Sequence, residues 1–98
     1  MWVLRALDAD ADHPVSFRLT PGMVKTIGRA GAADFCLDVP LVSWLHCRVE
    51  VGADGAMEVV DLDSTNGTWV DGVRVERAAL RPGGVLRVGR IDFVLEAV

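Results

Sequence analysis

The sequence predicts an all-β fold in which short strands pack as a sandwich or a barrel. Short apolar segments recur about every ten residues, with clusters of Gly, Pro, Asp and Asn between them, and this spacing is typical of such folds. No stretch has the length and the 3.6-residue periodicity of an amphipathic helix. Because 98 residues is near the usual size of one domain, we expect a single domain over residues 1–98.

Alternation of apolar and polar side chains predicts the individual strands. They cover residues 2–7, 16–19, 23–27, 34–37, 45–51, 57–62, 68–70, 73–75, 85–88 and 91–97. The connections carry turn residues: an acidic turn at 8–14, Thr-Pro-Gly at 20–22, Gly-Ala-Asp-Gly at 52–55 and Arg-Pro-Gly-Gly at 81–84. Between the strands at 68–70 and 73–75, the pair Asp71-Gly72 predicts a two-residue type I′ hairpin. In residues 45–51, we expect the odd-numbered side chains from Leu45 to Val51 to face the core and the even-numbered ones, including His46, to face away.

Composition excludes several kinds of function. Fourteen acidic residues against ten basic ones give a formal charge of −4, which disfavours non-specific attraction to nucleic acid or anionic lipid. Nine of the ten cations are arginine, whose planar fork of donors suits phosphate oxygens. Because no apolar run reaches about 18 residues and no signal peptide is evident, we expect a cytoplasmic protein without membrane contact. Cys36 and Cys47 lie in apolar segments, so we expect two buried free thiols.

Three segments between strands contain polar residues that strand formation does not require. They are Gly28-Arg29, the segment from Ser43 to His46, and residues 64–68 with the sequence STNGT. Together they supply a guanidinium, hydroxyls, an amide side chain and backbone N–H groups. A phosphate dianion needs positive charge and several directed donors, which this set provides. If the three loops lie at one end of a rigid sandwich, these groups converge.

The same segments resemble the motifs of the forkhead-associated (FHA) domain family. Ile27-Gly28-Arg29 is similar to the family's Gly-Arg motif, Ser43 to His46 to its Ser-x-x-His motif, and residues 61–72, DLDSTNGTWVDG, to its Asn-Gly-Thr block. The resemblance implies an eleven-stranded, FHA/SMAD-like β-sandwich of two twisted sheets with ligand loops at one end. It also implies recognition of phosphothreonine in partner proteins, with no catalysis and no cofactor.

By position, the resemblance also implies roles for the individual loop residues. Arg29 resembles the arginine that contacts the phosphate, and Ser43 resembles the serine that donates its hydroxyl to it. Thr65 resembles a loop residue that adds to the same cradle. Asn66 resembles the asparagine that hydrogen-bonds the peptide backbone beside the phosphothreonine.

Other motif residues shape the loops or depart from the family's pattern. Gly28, His46 and Gly67 resemble residues that structure the loops without touching the ligand. Trp44 stands where the family often has Arg or Asn, so we expect it either to pack on the bound peptide or to lower affinity by removing a donor. Asp71 stands where Asn is frequent, and both residues tolerate such a turn.

The expected partner is a phosphothreonine-containing protein, either a serine/threonine kinase or its substrate, bound by a monomeric domain. The main alternative is a module that binds a partner, or itself, independently of phosphate through Trp44 and adjoining apolar surface. A hydrolase triad of Ser43 and His46 with Asp61 or Asp63 is disfavoured, because no nucleophile elbow accompanies the histidine. A metal site using both cysteines and His46 lacks a fourth ligand, and the three tryptophans lack the basic stripe of a nucleic-acid stacking surface.

Overall fold

The fold is a sandwich of two β-sheets, seen in a computed structural model that describes residues 1–7 and 15–98. Those residues form eleven strands and no helix; no segment among them is therefore a candidate membrane-spanning helix. The strand number and the two sheets agree with the architecture that the FHA resemblance implied. The acidic turn predicted at residues 8–14 lies outside the described residues.

Strand order is simple in both sheets. The six-stranded sheet contains β1 (Trp2–Ala6), β2 (Ser16–Leu19), β7 (Thr68–Val70), β8 (Val73–Val75), β10 (Val85–Val88) and β11 (Ile91–Ala97), in the order β2-β1-β11-β10-β7-β8. The five-stranded sheet contains β3 (Val24–Gly28), β4 (Phe35–Cys36), β5 (Cys47–Val51), β6 (Met57–Asp61) and β9 (Arg77–Leu80), in the order β4-β3-β5-β6-β9. Neighbouring strands are antiparallel except β3 and β4, which are parallel.

The core lies between the sheets and is built from the inward side chains of both. Its largest fully buried members are Leu4, Leu19, Ile27, Leu86, Phe93 and Leu95. Each such side chain contributes about 1.5–3 kcal/mol by leaving water. At one edge of the sandwich Phe17 of β2 stacks on Phe35 of β4, with ring centroids 4.3 Å apart. This stack joins an edge strand of one sheet to an edge strand of the other.

Two sequence predictions about strands were wrong. The residue pattern gave ten strands and missed β9, whose central residues are Ala78 and Ala79; alanine has little strand preference, and no turn signal separates β9 from β8. The strand predicted to start at residue 45 starts at Cys47. Before it the chain bends, so Leu45 is exposed and His46 is fully buried, the reverse of the predicted faces.

The two cysteines differ in environment. Cys47 is free and fully buried, as predicted, and burial with the nearby Asp61 carboxylate raises the pKa of its thiol to about 12. Cys36 is free but exposed, which contradicts the prediction of two buried thiols. The two-residue strand β4 turns Phe35 toward the core, and the alternation of side chains then directs Cys36 to solvent.

The predicted hairpin between β7 and β8 is confirmed. Asp71 and Gly72 have φ values of 49° and 83°, as a type I′ turn requires, and Val70 pairs with Val73. The Asp71 Oδ1 atom also accepts a hydrogen bond from the Val85 N–H at 2.9 Å. The turn is at the end of β7 farther from residues 62–67.

Two glutamates stand directly opposite each other on the outer face of the five-stranded sheet. Glu50 of β5 pairs in register with Glu58 of β6, an arrangement that is unfavourable for like charges. Arg77 of β9 lies 3.5 Å from Glu50 and 3.2 Å from Glu58, and the hydrogen bond and charge of Glu58, with the charge of Glu50, raise the pKa of Arg77. Arg77 therefore bridges the two carboxylates.

Candidate functional site

Three loops meet at one end of the sandwich. They are the β3–β4 loop (residues 29–34), the β4–β5 loop (residues 37–46) and the β6–β7 loop (residues 62–67). The β4–β5 loop lies in the middle and bonds both others. The Arg29 N–H donates to the Ser43 carbonyl at 3.0 Å, and the Thr65 N–H donates to Ser43 Oγ at 3.0 Å. Residues from three separate loops therefore contact one another directly.

His46 holds two of these loops together from inside the protein. It is fully buried, and its Nε2 atom lies 2.7 Å from the Gly67 carbonyl oxygen. Since a carbonyl only accepts, Nε2 carries the proton, and Nδ1 is left to accept the Ser43 N–H at 3.0 Å. Both ring nitrogens are therefore bonded to backbone. Neither is free to act on the Ser43 hydroxyl, as the disfavoured hydrolase triad would require.

Two glycines permit close approach between the loops and their neighbours. A Cβ atom at Gly28 would lie 2.2 Å from the Trp44 carbonyl oxygen, so any side chain there would push the β4–β5 loop away. Gly67 has a φ of 88°, which favours glycine, and a Cβ atom there would lie 2.6 Å from Arg74 Nε. Both glycines are needed for the observed packing.

The Ser43 and Thr65 side chains present hydroxyl groups at the contact between the two loops. Ser43 Oγ accepts the Thr65 N–H, which leaves the serine hydroxyl proton free to donate. Ser43 is half-buried, and Thr65 is exposed. The pair thus forms a fixed point from which two hydroxyls are accessible to a ligand.

Arg29 is fixed by its backbone and exposed at its side chain. The guanidinium Nε lies 3.8 Å from Asp38 Oδ1 in the β4–β5 loop, and the two side chains are 45% and 83% exposed. An exposed pair at this distance stabilises weakly, so a stronger anion can displace Asp38.

The Asn66 side chain is hydrogen-bonded to the backbone of Leu41, which has a strained conformation. Its Nδ2 atom donates to the Leu41 carbonyl at 3.1 Å, and Leu41 has a φ of 71°, a conformation that costs a non-glycine residue about 1–3 kcal/mol. One amide hydrogen and the Oδ1 atom of Asn66 remain available for a bound chain. Strain of this kind is concentrated at functional sites.

The Trp44 side chain projects from the same edge. Its carbonyl accepts the Ala30 N–H at 3.0 Å, so its backbone is part of the loop junction, while its indole is 72% exposed. Leu41 and Leu45 are also exposed, at 39% and 46%. An apolar surface therefore borders the polar groups.

Asp61 anchors the β6–β7 loop, a role that sequence reasoning missed. Its carboxylate accepts hydrogen bonds from Ser64 Oγ at 2.5 Å, from Thr68 Oγ1 at 2.6 Å and from the Ser64 N–H at 3.2 Å. Burial alone would raise the pKa of Asp61, but these hydrogen bonds hold the pKa below its ordinary value. The ionised carboxylate thus fixes both ends of the segment that carries Thr65. A carboxylate followed within seven residues by two hydroxyl side chains was the available sequence signal.

Arg74 is a second residue that sequence reasoning missed. It belongs to β8, yet its guanidinium lies against Gly67 of the β6–β7 loop. Its cross-strand neighbour Trp69 donates its indole N–H to the Asn66 carbonyl at 3.4 Å. Only the pairing of β7 with β8 brings this arginine to the site.

A family model and two curated relatives show which family the chain resembles. The model of the FHA domain matches residues 25–89. The chain is 42% identical over 76 residues to the ABC transporter ATP-binding/permease protein Rv1747 of Mycobacterium tuberculosis, covering 78% of this chain and 9% of that protein. It is 33% identical over 90 residues to the serine/threonine-protein kinase RAD53 of Saccharomyces cerevisiae, covering 88% of this chain and 11% of that protein. The chain therefore spans about a tenth of the length of these curated relatives.

A solved structure supports the same conclusion about the fold. It comes from a structural and functional analysis of phosphothreonine-dependent FHA domain interactions and is 28% identical, with a TM-score of 0.86. The alignment covers 99% of this chain and 96% of that one. The likeness thus extends over both sheets and the three loops.

Proposed function

Because this chain belongs to the FHA domain family, we propose that it is a recognition module that binds a phosphothreonine-containing segment of a partner protein at the edge where its three loops meet. Family membership supports binding without catalysis, and the solved FHA domain at 28% identity was studied for phosphothreonine-dependent interactions. The observation that carries the proposal is the contact of Ser43 with the backbone N–H groups of both Arg29 and Thr65, because these bonds bring an arginine and two hydroxyl-bearing residues together at one exposed edge.

Each of the five residues has a role in the proposed complex. The Arg29 guanidinium leaves the Asp38 carboxylate and binds the phosphate instead. The Ser43 and Thr65 hydroxyls donate to phosphate oxygens. Asn66 uses its free amide hydrogen and its Oδ1 atom to bond the peptide backbone, and Trp44 packs on the peptide. Hydrogen bonds to a charged group contribute about 1.5–3 kcal/mol each, so three of them, reduced by the cost of ordering the peptide, correspond to micromolar affinity.

The charge of the ligand supplies most of the selectivity. Phosphothreonine carries a charge of about −1.5 to −2 near neutral pH, whereas threonine carries none. The domain has a formal charge of −4, so acidic segments that lack the phosphate gain little from the site. The partner is a serine/threonine kinase or a kinase substrate, and we expect the domain to act as a monomer in the cytoplasm, with residues 1–98 as one module.

Calorimetric titration tests the proposal. A phosphothreonine peptide library and the matching threonine peptides are titrated into the wild-type domain, into Arg29→Ala and into Arg81→Ala. Arg81 is a matched control because it lies in the β9–β10 turn, at the other end of β10 from the loop edge. The proposal expects binding only of phosphorylated peptides, a loss of at least about tenfold in Arg29→Ala and no change in Arg81→Ala.

The alternative of phosphate-independent binding rests on the exposed apolar surface of Leu41, Trp44 and Leu45. If that alternative holds, Trp44→Ala abolishes binding of both peptide forms, and Arg29→Ala has no effect. Ionic strength separates the two functions again. Affinity that depends on phosphate falls as salt is added because the charged groups are exposed and screened, whereas affinity from apolar contact does not.

A further inference from the structure

The Arg74 side chain, which belongs to β8, packs against the β6–β7 loop beside the proposed phosphothreonine site. At Gly67, a Cβ atom would be 2.6 Å from Arg74 Nε, 3.0 Å from Cζ and 3.1 Å from Cδ. The guanidinium therefore covers the bare face of this glycine. Gly67 directly follows Asn66, which is proposed to bond the peptide backbone.

No carboxylate in the described part of the chain pairs with Arg74. The ion pairs found there use five other arginines: Arg5, Arg29, Arg48, Arg77 and Arg87. An exposed arginine without an acidic partner is ordinary by itself. Arg74 differs because its guanidinium lies against a loop that is proposed to bind a ligand, while its side chain remains exposed to solvent.

The neighbouring contacts place the backbone of Arg74 beside the β6–β7 loop. Trp69 stands directly across the β7–β8 ladder from Arg74, and cross-strand partners share one face of the sheet. The Trp69 indole N–H reaches the Asn66 carbonyl. Arg74 is thus placed between the rigid hairpin of Asp71 and Gly72 and the loop that carries Asn66.

We propose that Arg74 binds a second anionic group on the segment that carries the phosphothreonine, either a carboxylate side chain or another phosphate. A guanidinium fork suits both groups. An extended chain advances about 3.3–3.6 Å per residue, so an anion two to four residues from the phosphothreonine lies about 7–14 Å from it. The inference rests on the proposed function, since it places the peptide backbone at Asn66.

A peptide panel tests this role of Arg74. Each phosphothreonine peptide carries alanine at all flanking positions except one, which is Glu in one arm and phosphoserine in the other, two to four residues before or after the phosphothreonine. Each peptide is titrated into the wild-type domain, Arg74→Gln and Arg81→Gln. The two variants lose the same charge from exposed positions, and Arg81 lies in the turn between β9 and β10, away from the loops.

At one or two positions Glu should tighten wild-type binding by about two- to fivefold, as expected for an exposed ion pair, and phosphoserine should do so by more. Both gains should be lost in Arg74→Gln and kept in Arg81→Gln. Gains that persist in Arg74→Gln, or gains at no position in the wild-type domain, would overturn the inference. The matching peptides with unphosphorylated threonine are titrated alongside. If they bind as tightly as the phosphothreonine peptides, the proposed function itself is refuted, so the two failures are distinguishable.

Discussion

Replacing Asp61 with asparagine should destabilise the domain and loosen the β6–β7 loop. The substitution keeps the size of the side chain but removes its charge. It also places an amide donor where the carboxylate accepts the Ser64 N–H. The Ser64 and Thr68 hydroxyls then donate to a neutral amide oxygen instead of a charged carboxylate.

The magnitude follows from the three hydrogen bonds. A bond to a charged group contributes about 1.5–3 kcal/mol and a neutral one about 0.5–1.5 kcal/mol, so each hydroxyl bond loses about 1 kcal/mol and the lost backbone bond costs about another. Since Asp61 is only half-buried, water recovers part of this sum, and we expect a net loss of about 2 kcal/mol. For a domain of this size that corresponds to a fall in Tm of roughly 8–16 °C.

Urea denaturation of Asp61→Asn and of Asp63→Asn measures this effect. Asp63 is a matched control because it lies in the same loop and is exposed, and its φ of 59° is one that asparagine tolerates. The control should stay within about 0.5 kcal/mol of the wild type. Phosphothreonine affinity should also fall in Asp61→Asn, measured where the protein is fully folded, because Thr65 loses its fixed position.

The pH dependence provides a second check. Because the pKa of Asp61 is lowered in the folded state from its ordinary value of 3.8, the carboxylate stabilises the fold above that value. The contribution is lost as the pH falls through the lower folded pKa. The stability gap between the wild type and Asp61→Asn should therefore be full near pH 7 and narrow as the pH falls through the lowered pKa of the folded state. A gap below about 0.5 kcal/mol at neutral pH, or one equally large in acid, would show that the Asp61 charge does not stabilise the β6–β7 loop.

Three further outcomes are expected. Arg77→Gln should lower the stability of the domain slightly because it leaves the two opposed glutamates unbridged. Urea denaturation in 1 M NaCl should show a smaller loss, and a loss unchanged by salt would contradict the ionic explanation. Iodoacetamide followed by mass spectrometry should modify Cys36 in the native protein and Cys47 only after unfolding, since Cys47 is buried and its pKa is about 12; labelling of both at one rate would be inconsistent with this packing. Asp38→Asn should tighten phosphothreonine binding about two- to fivefold, because it removes the carboxylate that competes for Arg29, and calorimetry that finds weaker binding would exclude the competition.

Much of the fold could be predicted from local patterns. Strands with strict alternation, such as Cys47–Val51, and a hairpin with a specific turn pair are fixed by nearby residues. Strand β9 was missed because Ala78 and Ala79 become a strand only by pairing with Glu58 and Val59 of β6. His46 was assigned to the wrong face because its burial depends on the Gly67 carbonyl, which is distant in sequence, and on the Ser43 N–H, which lies outside the strand pattern.

The candidate site shows the same division. Arg29, Ser43 and Asn66 were named from motifs, which mark the loops but not the contacts between them. The contribution of Asp61 depends on the fold of its loop, and that of Arg74 depends on the register between β7 and β8. The order of residues marks Asp61 and its hydroxyl neighbours but not the hydrogen bonds between them, and it does not show which strands pair, so both residues were missed.

The central claim is that residues from three loops bind one phosphothreonine together. The most direct test is a ¹H–¹⁵N NMR titration of the isotope-labelled domain with a phosphothreonine peptide and with its threonine counterpart. Only the phosphorylated peptide should shift the Arg29 Nε–H, the Asn66 side-chain amide and the backbone amides of Ser43 and Thr65, all with one dissociation constant. Shifts that are the same for both peptides, or that leave the Arg29 and Ser43 resonances unchanged, would contradict the central claim.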